Sequence, residues 1–260
     1  MPVFNTILAV PTEVRNQVAD GDCILMVTSD GTPYKIKIAD LLANSSINST
    51  TGGSSTTSYP AGMALWLDNG SLTDKSGNNR NASPIGVNSP SVATGIDDKQ
   101  VLRWDGTGRQ ELQIPPFLSN TTGATLYCVC TINGGDNYNL VRTFSIDDYW
   151  KFVSVSGYFG TFRNSRYEGY PSGMPSTGNH LISIHASATD YEVVVDTISK
   201  GVQQSSYVPG DRFRIGVNDK VFNGDIALLL VYPQYTQPGS TSDLGVRSTI
   251  KSIYPSLPFS

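Results

Sequence analysis

Aromatic, acidic and basic side chains concentrate between Ile146 and Gly173, in the mixture that a sugar-binding surface needs. Aromatic rings stack on the C–H faces of sugars, while carboxylates and guanidinium groups hydrogen-bond to the hydroxyls. The candidate receptor-binding residues of this segment are Asp147, Asp148, Tyr149, Trp150, Arg163, Arg166, Tyr167 and Tyr170. The alternative interpretation is that Trp150 and Tyr158 are core or sheet-pairing aromatics and that the stretch from Tyr167 to Tyr170 is only a turn.

Catalytic side chains are harder to assign. Glycoside hydrolysis needs two carboxyl groups about 5–9.5 Å apart. Glu192 and Asp196 stand four residues apart in a candidate strand, but its alternation predicts that they lie on the solvent side. The odd spacing of His180 and His185 predicts opposite faces of one strand, and neither accompanies a Gly-x-Ser-x-Gly turn. We therefore expect no enzymatic activity.

Oxygen-bearing side chains suitable for calcium recur in the loops between residues 68 and 105. Calcium takes six to eight oxygen ligands, but no EF-hand spacing is present, and aspartates in turns commonly bond to backbone N–H groups. The candidates are Asp68, Asp74, Asn78, Asp97, Asp98 and Asp105. We expect no cofactor, and a structural calcium ion stays open as an alternative.

The three cysteines do not suit a disulfide framework. Cys128 and Cys130 are two residues apart in a candidate strand, so they share a face and are badly placed to bridge each other. Cys23 lies in a separate segment. The sequence predicts buried free thiols and no zinc site.

Short segments of alternating polarity, separated by turn residues, predict an all-β protein built as an antiparallel β-sandwich. The continuously apolar run Ile226–Tyr232 predicts a central strand covered on both faces, and Asp243–Ser252 predicts a short helix. The predicted strands are Met63–Asp68, Gln100–Asp105, Glu111–Ile114, Ala124–Ile132, Leu140–Phe144, Lys151–Ser156, Tyr158–Arg163, His180–Ala186, Tyr191–Thr197, Phe213–Val217 and Ile226–Tyr232.

The chain divides into three predicted regions: residues 1–44, 45–60 and 61–260. In the first, two alternating strands flank Asp30-Gly31, a strong hairpin signal. A single hairpin is marginally stable in water, so this segment needs a neighbour, which we expect to be another chain. Residues 45–60 are rich in Ser, Thr and Gly and predict a flexible linker. The sandwich head occupies residues 61–260.

The net charge of −4 and the absence of Lys/Arg clusters argue against nucleic acid or an anionic membrane as partner. No apolar run has the 18 or more residues of a membrane span, and the first residues lack the pattern of a secretion signal. We expect synthesis in the cytoplasm and no membrane insertion.

Two strand-and-loop motifs carry a resemblance to a known fold family. The first is an apolar strand ending in Leu67-Asp68, followed by Asp74-Lys-Ser-Gly-Asn78; the second is Trp104-Asp105-Gly106. In this order they resemble the opening of a concanavalin A-like (laminin-G-like) lectin/glucanase jelly roll, over residues 62–254. The resemblance implies a lectin-like head, and such domains often hold a structural calcium near equivalent loops. The glucanase pattern Glu-x-Asp-x-x-Glu is absent.

The N-terminal region resembles the virion-attachment segment of bacteriophage tail-fibre proteins. The matching residues are Asp20-Gly21-Asp22, Gly31-Thr32, Tyr34-Lys35-Ile36 and Asp40-Leu41. The resemblance implies a homotrimeric tail or baseplate fibre in the virion, attached to a baseplate or tail protein through residues 1–44, whose head binds a host-surface glycan or other receptor. The alternatives are a structural virion or decoration protein and, third, a carbohydrate-active enzyme. An N-terminal hairpin that simply docks on the sandwich is the alternative for this segment.

Overall fold

The computed structural model describes residues 23–27, 33–37 and 59–259, the last range with gaps at 86–87, 109, 119–120, 135–136, 145–148, 156–157, 164–165, 171–174, 205–211 and 217–221. For 23–27, 33–37, 137–139, 142–144, 149–155, 158–163, 166–170 and 212 the description is of the backbone. Residues 1–58 and 59–260 are two separate compact units.

The predicted N-terminal hairpin is confirmed. Strands β1 (Cys23–Val27) and β2 (Pro33–Lys37) are antiparallel, with Cys23 opposite Lys37 and Val27 opposite Pro33.

The described residues of the second unit form two antiparallel sheets and one α-helix. The predicted antiparallel β-sandwich is therefore confirmed. Its strands are β3 (Leu65–Asp68), β4 (Ser83–Ile85), β5 (Ser91–Thr94), β6 (Gln100–Asp105), β7 (Glu111–Ile114), β8 (Ala124–Ile132), β9 (Asn137–Phe144), β10 (Tyr149–Val155), β11 (Tyr158–Arg163), β12 (Arg166–Tyr170), β13 (Gly178–Ala186), β14 (Asp190–Val195), β15 (Ile198–Gln204), β16 (Arg212–Ile215) and β17 (Asn223–Tyr232).

The seven-stranded sheet has the order β12-β11-β10-β9-β16-β7-β4. The eight-stranded sheet has the order β15-β14-β13-β8-β17-β6-β5, with β3 also paired to β17. Along one edge of β17, its first half pairs with β6 and its second half with β3. The edge strands β12 and β15 contact each other, so they lie at the same end of the sandwich.

Strand β8 shows how the middle of the eight-stranded sheet is buried on both faces. Leu126, Cys128 and Cys130 belong to the core between the two sheets, whereas Tyr127 and Val129 belong to a second apolar cluster on the opposite face. A strand alternates its side chains between faces, so one apolar run serves both clusters. Cys128 and Cys130 are buried and unbridged, as predicted.

Strand β17 is buried on both faces, which confirms the prediction from its apolar run. Its pairing register with β8 shifts between Ile226 and Leu228. As a result Ala227 and Leu228 both join the second cluster, and Leu229 returns to the core between the sheets. A β-bulge of this kind inserts one extra residue and changes the face that the following residues occupy.

The second apolar cluster packs helix α1 (Thr241–Ile253) against the eight-stranded sheet, which confirms the predicted C-terminal helix. Ser240 caps its N-terminus by accepting a hydrogen bond from the Asp243 N–H. Val246 and Ile250, four residues apart, are buried on the side of the sheet. In the described parts of the chain, no helix has the length and apolarity required to cross a bilayer.

Candidate ligand-binding site

Three neighbouring strands at one end of the seven-stranded sheet contain most of the predicted receptor-binding residues. Tyr149 and Trp150 begin β10. Asp147 and Asp148 lie outside the described residues. The β11–β12 hairpin pairs Phe159 with Tyr170, Phe162 with Tyr167, and Arg163 with Arg166. The fold thus brings these predicted residues to one sheet edge, and their role in binding stays a prediction.

The pairing register separates these residues into two sets of rows. Trp150 is opposite Thr143, which is opposite Phe213, and Phe213 is buried between the sheets. Because faces alternate along a strand, Trp150 occupies a row that leads to the core, and Tyr167 occupies a row of the other face. Trp150 and Tyr167 therefore lie in rows of opposite faces, and the role of each in receptor binding stays a prediction.

The acidic loops use their carboxylates to organise backbone. Asp74 is 7% exposed and accepts hydrogen bonds from the backbone N–H groups of Trp66, Ser76 and Arg80 at 2.9–3.0 Å. Burial of the carboxylate raises its pKa, but these hydrogen bonds outweigh burial and lower the pKa from its usual value. Asp74 therefore shapes the loop that follows β3.

Two of the other candidate calcium ligands, Asp68 and Asp105, have separate partners. Asp68 accepts from the Trp66 indole at 2.9 Å and pairs with Lys75, while Asp105 accepts from the Thr107 N–H at 2.8 Å. Among the described residues, no three His, Cys, Asp or Glu side chains are grouped in a way that could hold a metal ion.

A buried polar network joins the outer face of the eight-stranded sheet to α1. The His185 Nδ1 lies 2.7 Å from the Thr236 carbonyl, which can only accept, so Nδ1 carries the proton. The Nε2 atom then accepts from the Ser183 hydroxyl at 3.0 Å, and the Arg247 guanidinium donates to the same hydroxyl oxygen. Hydrogen bonds therefore run in one direction from Arg247 to Thr236.

Asp243 is the centre of this network on the helix. One carboxylate oxygen accepts from the Tyr127 hydroxyl at 2.8 Å, and the other accepts from the Gly239 N–H at 2.8 Å and from Arg247 Nε at 2.9 Å. Arg247 also donates to the Asp196 carbonyl at 2.6 Å. The exposed fractions of Asp243 and Arg247 are 1% and 7%, so the ion pair is almost fully withdrawn from water.

The two histidines lie on opposite faces of β13, as predicted, and their pKa values are shifted in opposite directions. Burial lowers the pKa of His185 to about 4, with Asp243 and the Thr236 carbonyl opposing that effect. For His180, burial is outweighed by hydrogen bonds to Asp196 at 2.9 Å and to the Ser176 carbonyl at 2.8 Å, so its pKa is raised. His185 is therefore neutral near pH 7, whereas His180 gains a proton more readily than a free histidine.

Ser183 and His185 have the contact of a nucleophile and its base, but not the accessibility. Both side chains are 0% exposed, and Arg247 already occupies the serine oxygen. A nucleophile must reach its substrate, so this pair stabilises the fold in the conformation described.

Glu192 and Asp196 do not form a carboxylate pair on one strand face, and the prediction that they share a face is wrong. Strand β14 ends at Val195, and Asp196 follows it in the left-handed region with φ of 57°. Asp196 bonds to His180 and to the Leu181 N–H, whereas Glu192 accepts from the Ser199 hydroxyl. Because of this turn, the two carboxylates bond to different partners.

The described residues also form a groove of about 270 Å³ between β14, β15 and the start of α1. Its lining combines a carboxylate, hydroxyls and aliphatic side chains with the buried ion pair of α1. The lining residues are Glu192, Val194, Thr197, Ser199, Pro238, Gly239, Asp243, Leu244 and Arg247. We name this the helix groove.

Sequence reasoning did not find the helix groove or the network beneath it. Two local signals were available: Ser183 and His185 stand at i, i+2 on one strand face, and Asp243 and Arg247 stand at i, i+4 on one helix face. What the sequence did not indicate was that these two faces meet.

No protein-family model and no curated protein matches this chain. Among solved structures, it is similar to domain 4 of AbnA, a GH43 extracellular arabinanase from Geobacillus stearothermophilus, solved in complex with arabinotriose. The TM-score is 0.59 at 15% identity, over 71% of this chain and 98% of that one.

The chain is also similar to botulinum neurotoxin binding domains. The serotype D domain has a TM-score of 0.54 at 12% identity, over 75% of this chain and 51% of that one. The DC domain in complex with SialylT has 0.55 at 10% identity, over 72% and 51%. The chain thus spans about half the length of these neurotoxin domains. At such identities the likeness shows the fold alone, a β-sandwich.

Proposed function

We propose that this chain is a bacteriophage tail or baseplate fibre protein whose β-sandwich head binds a glycan on the host surface. The observation that carries the proposal is the fold: domain 4 of AbnA, which is matched over 98% of its length, was obtained with arabinotriose, and the DC neurotoxin domain, which is matched over 51% of its length, with SialylT. In this proposal residues 1–44 attach the chain to a baseplate or tail protein of the virion, and residues 45–60 link that attachment to the head. The protein is made in the host cytoplasm and works in the virion.

The first unit supports the fibre part of the proposal. Its described hairpin consists of two five-residue strands, and a two-stranded sheet is marginally stable alone. Association of three copies would bury the hairpins against one another, so the fibre is proposed to be a homotrimer.

The full-length protein is expected to be trimeric at micromolar concentration, and deletion of residues 1–58 is expected to give a monomeric head. The cut precedes Tyr59, which is buried against Trp66 with ring centroids 5.3 Å apart and belongs to the head. Light scattering measures both masses, and thermal melts confirm that the head is folded. A monomeric full-length chain, or an equally trimeric head, would contradict attachment-driven assembly.

Receptor binding by β10–β12 is tested by Tyr167→Ala and Trp150→Ala. Loss of an aromatic anchor costs about 1–3 kcal/mol of binding, and avidity in a trimer amplifies the loss per particle. We expect both variants to adsorb poorly to host cells, with Tyr167→Ala keeping the parental melting temperature. Arg163→Ala should weaken binding more for an acidic glycan than for a neutral one, since a bidentate pair with the glycan carboxylate would be lost.

Melting curves separate binding from folding in this experiment. If Trp150→Ala melts at a lower temperature but its folded fraction adsorbs normally, Trp150 belongs to the core. If Tyr167→Ala also adsorbs normally, β10–β12 is not the receptor surface.

A structural virion or decoration protein is the second candidate. The observation that favours it is a protein ligand on a similar fold: the DC binding domain was also solved in complex with rat synaptotagmin II, with a TM-score of 0.50. Catalysis is not part of either proposal, because Ser183 and His185 are buried and Glu192 and Asp196 have separate partners.

A further inference from the structure

We infer that the helix groove is a second binding site, which takes one unit of a neutral saccharide. It lies on the helix side of the eight-stranded sheet, whereas β10–β12 belong to the other sheet. The inference rests on the proposed glycan-binding function and adds a site and a ligand class to it.

The size of the groove limits the ligand. Small-molecule sites usually enclose about 300–1,000 Å³, and the helix groove, at about 270 Å³, is just below that range. A single sugar ring suits such a volume, while the rest of an oligosaccharide would extend into solvent.

The polar lining suits hydroxyl groups. Glu192 accepts one hydrogen bond from Ser199, and a carboxylate has about four lone-pair positions, so it keeps capacity to accept from sugar hydroxyls. Thr197 and Ser199 are both exposed and add hydroxyls that donate and accept. The polar lining therefore offers the mixture of hydrogen bonds that a sugar ring makes.

The charges of the groove disfavour acidic sugars. Arg247 and Asp243 compensate each other at 2.9 Å. The charge of Glu192 then leaves the lining negative. Asp190 lies on the same strand and adds a second negative charge: burial raises the pKa of Tyr235, and the charges of Asp190 and Glu192 raise it as well. A sialic acid or uronate carboxylate would be repelled here, so the groove selects neutral hexoses and N-acetylhexosamines.

Exposed apolar side chains surround the same groove. Leu244 lines it and is 56% exposed, and Val202, opposite Glu192 on β15, is 59% exposed. Tyr235, close to Glu192, is 42% exposed. Exposed apolar surface rimmed by polar groups is typical of binding sites, and such surface packs against the C–H faces of a sugar.

The floor of the groove is held rigid before any ligand arrives. Asp243 and Arg247 are fixed by hydrogen bonds to β8, β13 and the chain after β14. A preorganised site loses little conformational entropy on binding, which favours recognition of a small ligand.

The experiment compares the full-length chain with three variants on an array of neutral hexose and N-acetylhexosamine oligosaccharides and of sialylated and uronic acid oligosaccharides. Glu192→Gln keeps the size of the side chain and removes its charge, and Leu244→Ser removes an apolar contact. Val92→Ser is the matched control, because Val92 is also 56% exposed but lies on β5, at the far edge of the sheet. Melting temperatures verify that all variants are folded.

We expect neutral members of the array to bind, with a loss of about tenfold or more for Glu192→Gln and Leu244→Ser and no change for Val92→Ser. If neutral sugars bind all variants equally, or if only acidic sugars bind, the helix groove is not the site and the proposed function stands. If no oligosaccharide binds, the proposed function fails together with this inference.

Discussion

Replacement of Asp243 by alanine is expected to lower the free energy of unfolding by about 3–5 kcal/mol, because it leaves a buried charge without its partner. Arg247 would keep its guanidinium at 7% exposure without the carboxylate at 2.9 Å. The Tyr127 hydroxyl and the Gly239 N–H would each lose an acceptor at 2.8 Å. Urea unfolding of the head, followed by tryptophan fluorescence and circular dichroism, measures the change.

A second substitution tests the physical reason. Adding Arg247→Met to Asp243→Ala removes the unpaired charge and keeps an apolar stem, so the double variant should be more stable than Asp243→Ala alone. Ser248→Ala, at an exposed position of the same helix, should change stability by less than about 0.5 kcal/mol. A double variant that is less stable than Asp243→Ala would show that Arg247 stabilises the fold through contacts other than its carboxylate partner.

The interior strands of the sandwich could be predicted from the sequence. Strands β6, β7, β8 and β11 begin and end at the predicted residues, and β17 differs only at its start. Strands β8 and β17 are buried on both faces, so nearly all of their residues are apolar, and such a run is recognisable in the sequence.

The four strands that the sequence did not indicate are β4, β5, β12 and β15, which are the end strands of the two sheets. The residues of β4, β5 and β15 are exposed or half-buried throughout. Without a buried face these strands have no period-two pattern in their sequence. Their position is determined by hydrogen bonding to the neighbouring strand. Edge strands are therefore the part of this fold that local sequence specifies least.

The polar network was beyond sequence reasoning for a related reason. Tyr127, Ser183 and Asp243 are far apart in the chain, and they meet only because α1 packs on the outer face of the eight-stranded sheet. The helix itself was predictable from residues 243–252, but the face of the sheet on which it packs was not. The acidic loops show the opposite case, because the turn chemistry around Asp74 correctly indicated backbone bonding.

His185 predicts that the head becomes less stable in mild acid. Its pKa is about 4 in the folded state and about 6.5 in the unfolded chain, so between these values the unfolded state binds a proton that the folded state does not. Stability therefore falls as the pH drops from about 6.5 to 4, by about 3 kcal/mol in total. Below pH 4 both states are protonated at this residue, and its contribution to the pH dependence ends.

The groups facing His185 explain why protonation is so unfavourable. Its Nε2 would have to donate toward Ser183, whose oxygen already receives the Arg247 guanidinium, a second positive charge. Asp243, 3.8 Å from Nε2, attracts the proton but is already paired with Arg247 and bonded to Tyr127. Because His185 is fully buried, the desolvation of the imidazolium exceeds this attraction.

His185→Asn tests this assignment, since an asparagine amide can donate to the Thr236 carbonyl but does not titrate. The variant should lose most of the decline in stability between pH 6.5 and 4, measured as urea midpoints across that range. His180→Gln is the matched control: the raised pKa of His180 gives stability that is fully present below pH 6.5 and is lost as the pH rises through that pKa. It should therefore keep the acid slope. If His185→Asn declines as steeply as the parent protein, the slope comes from carboxylates and not from protonation of His185.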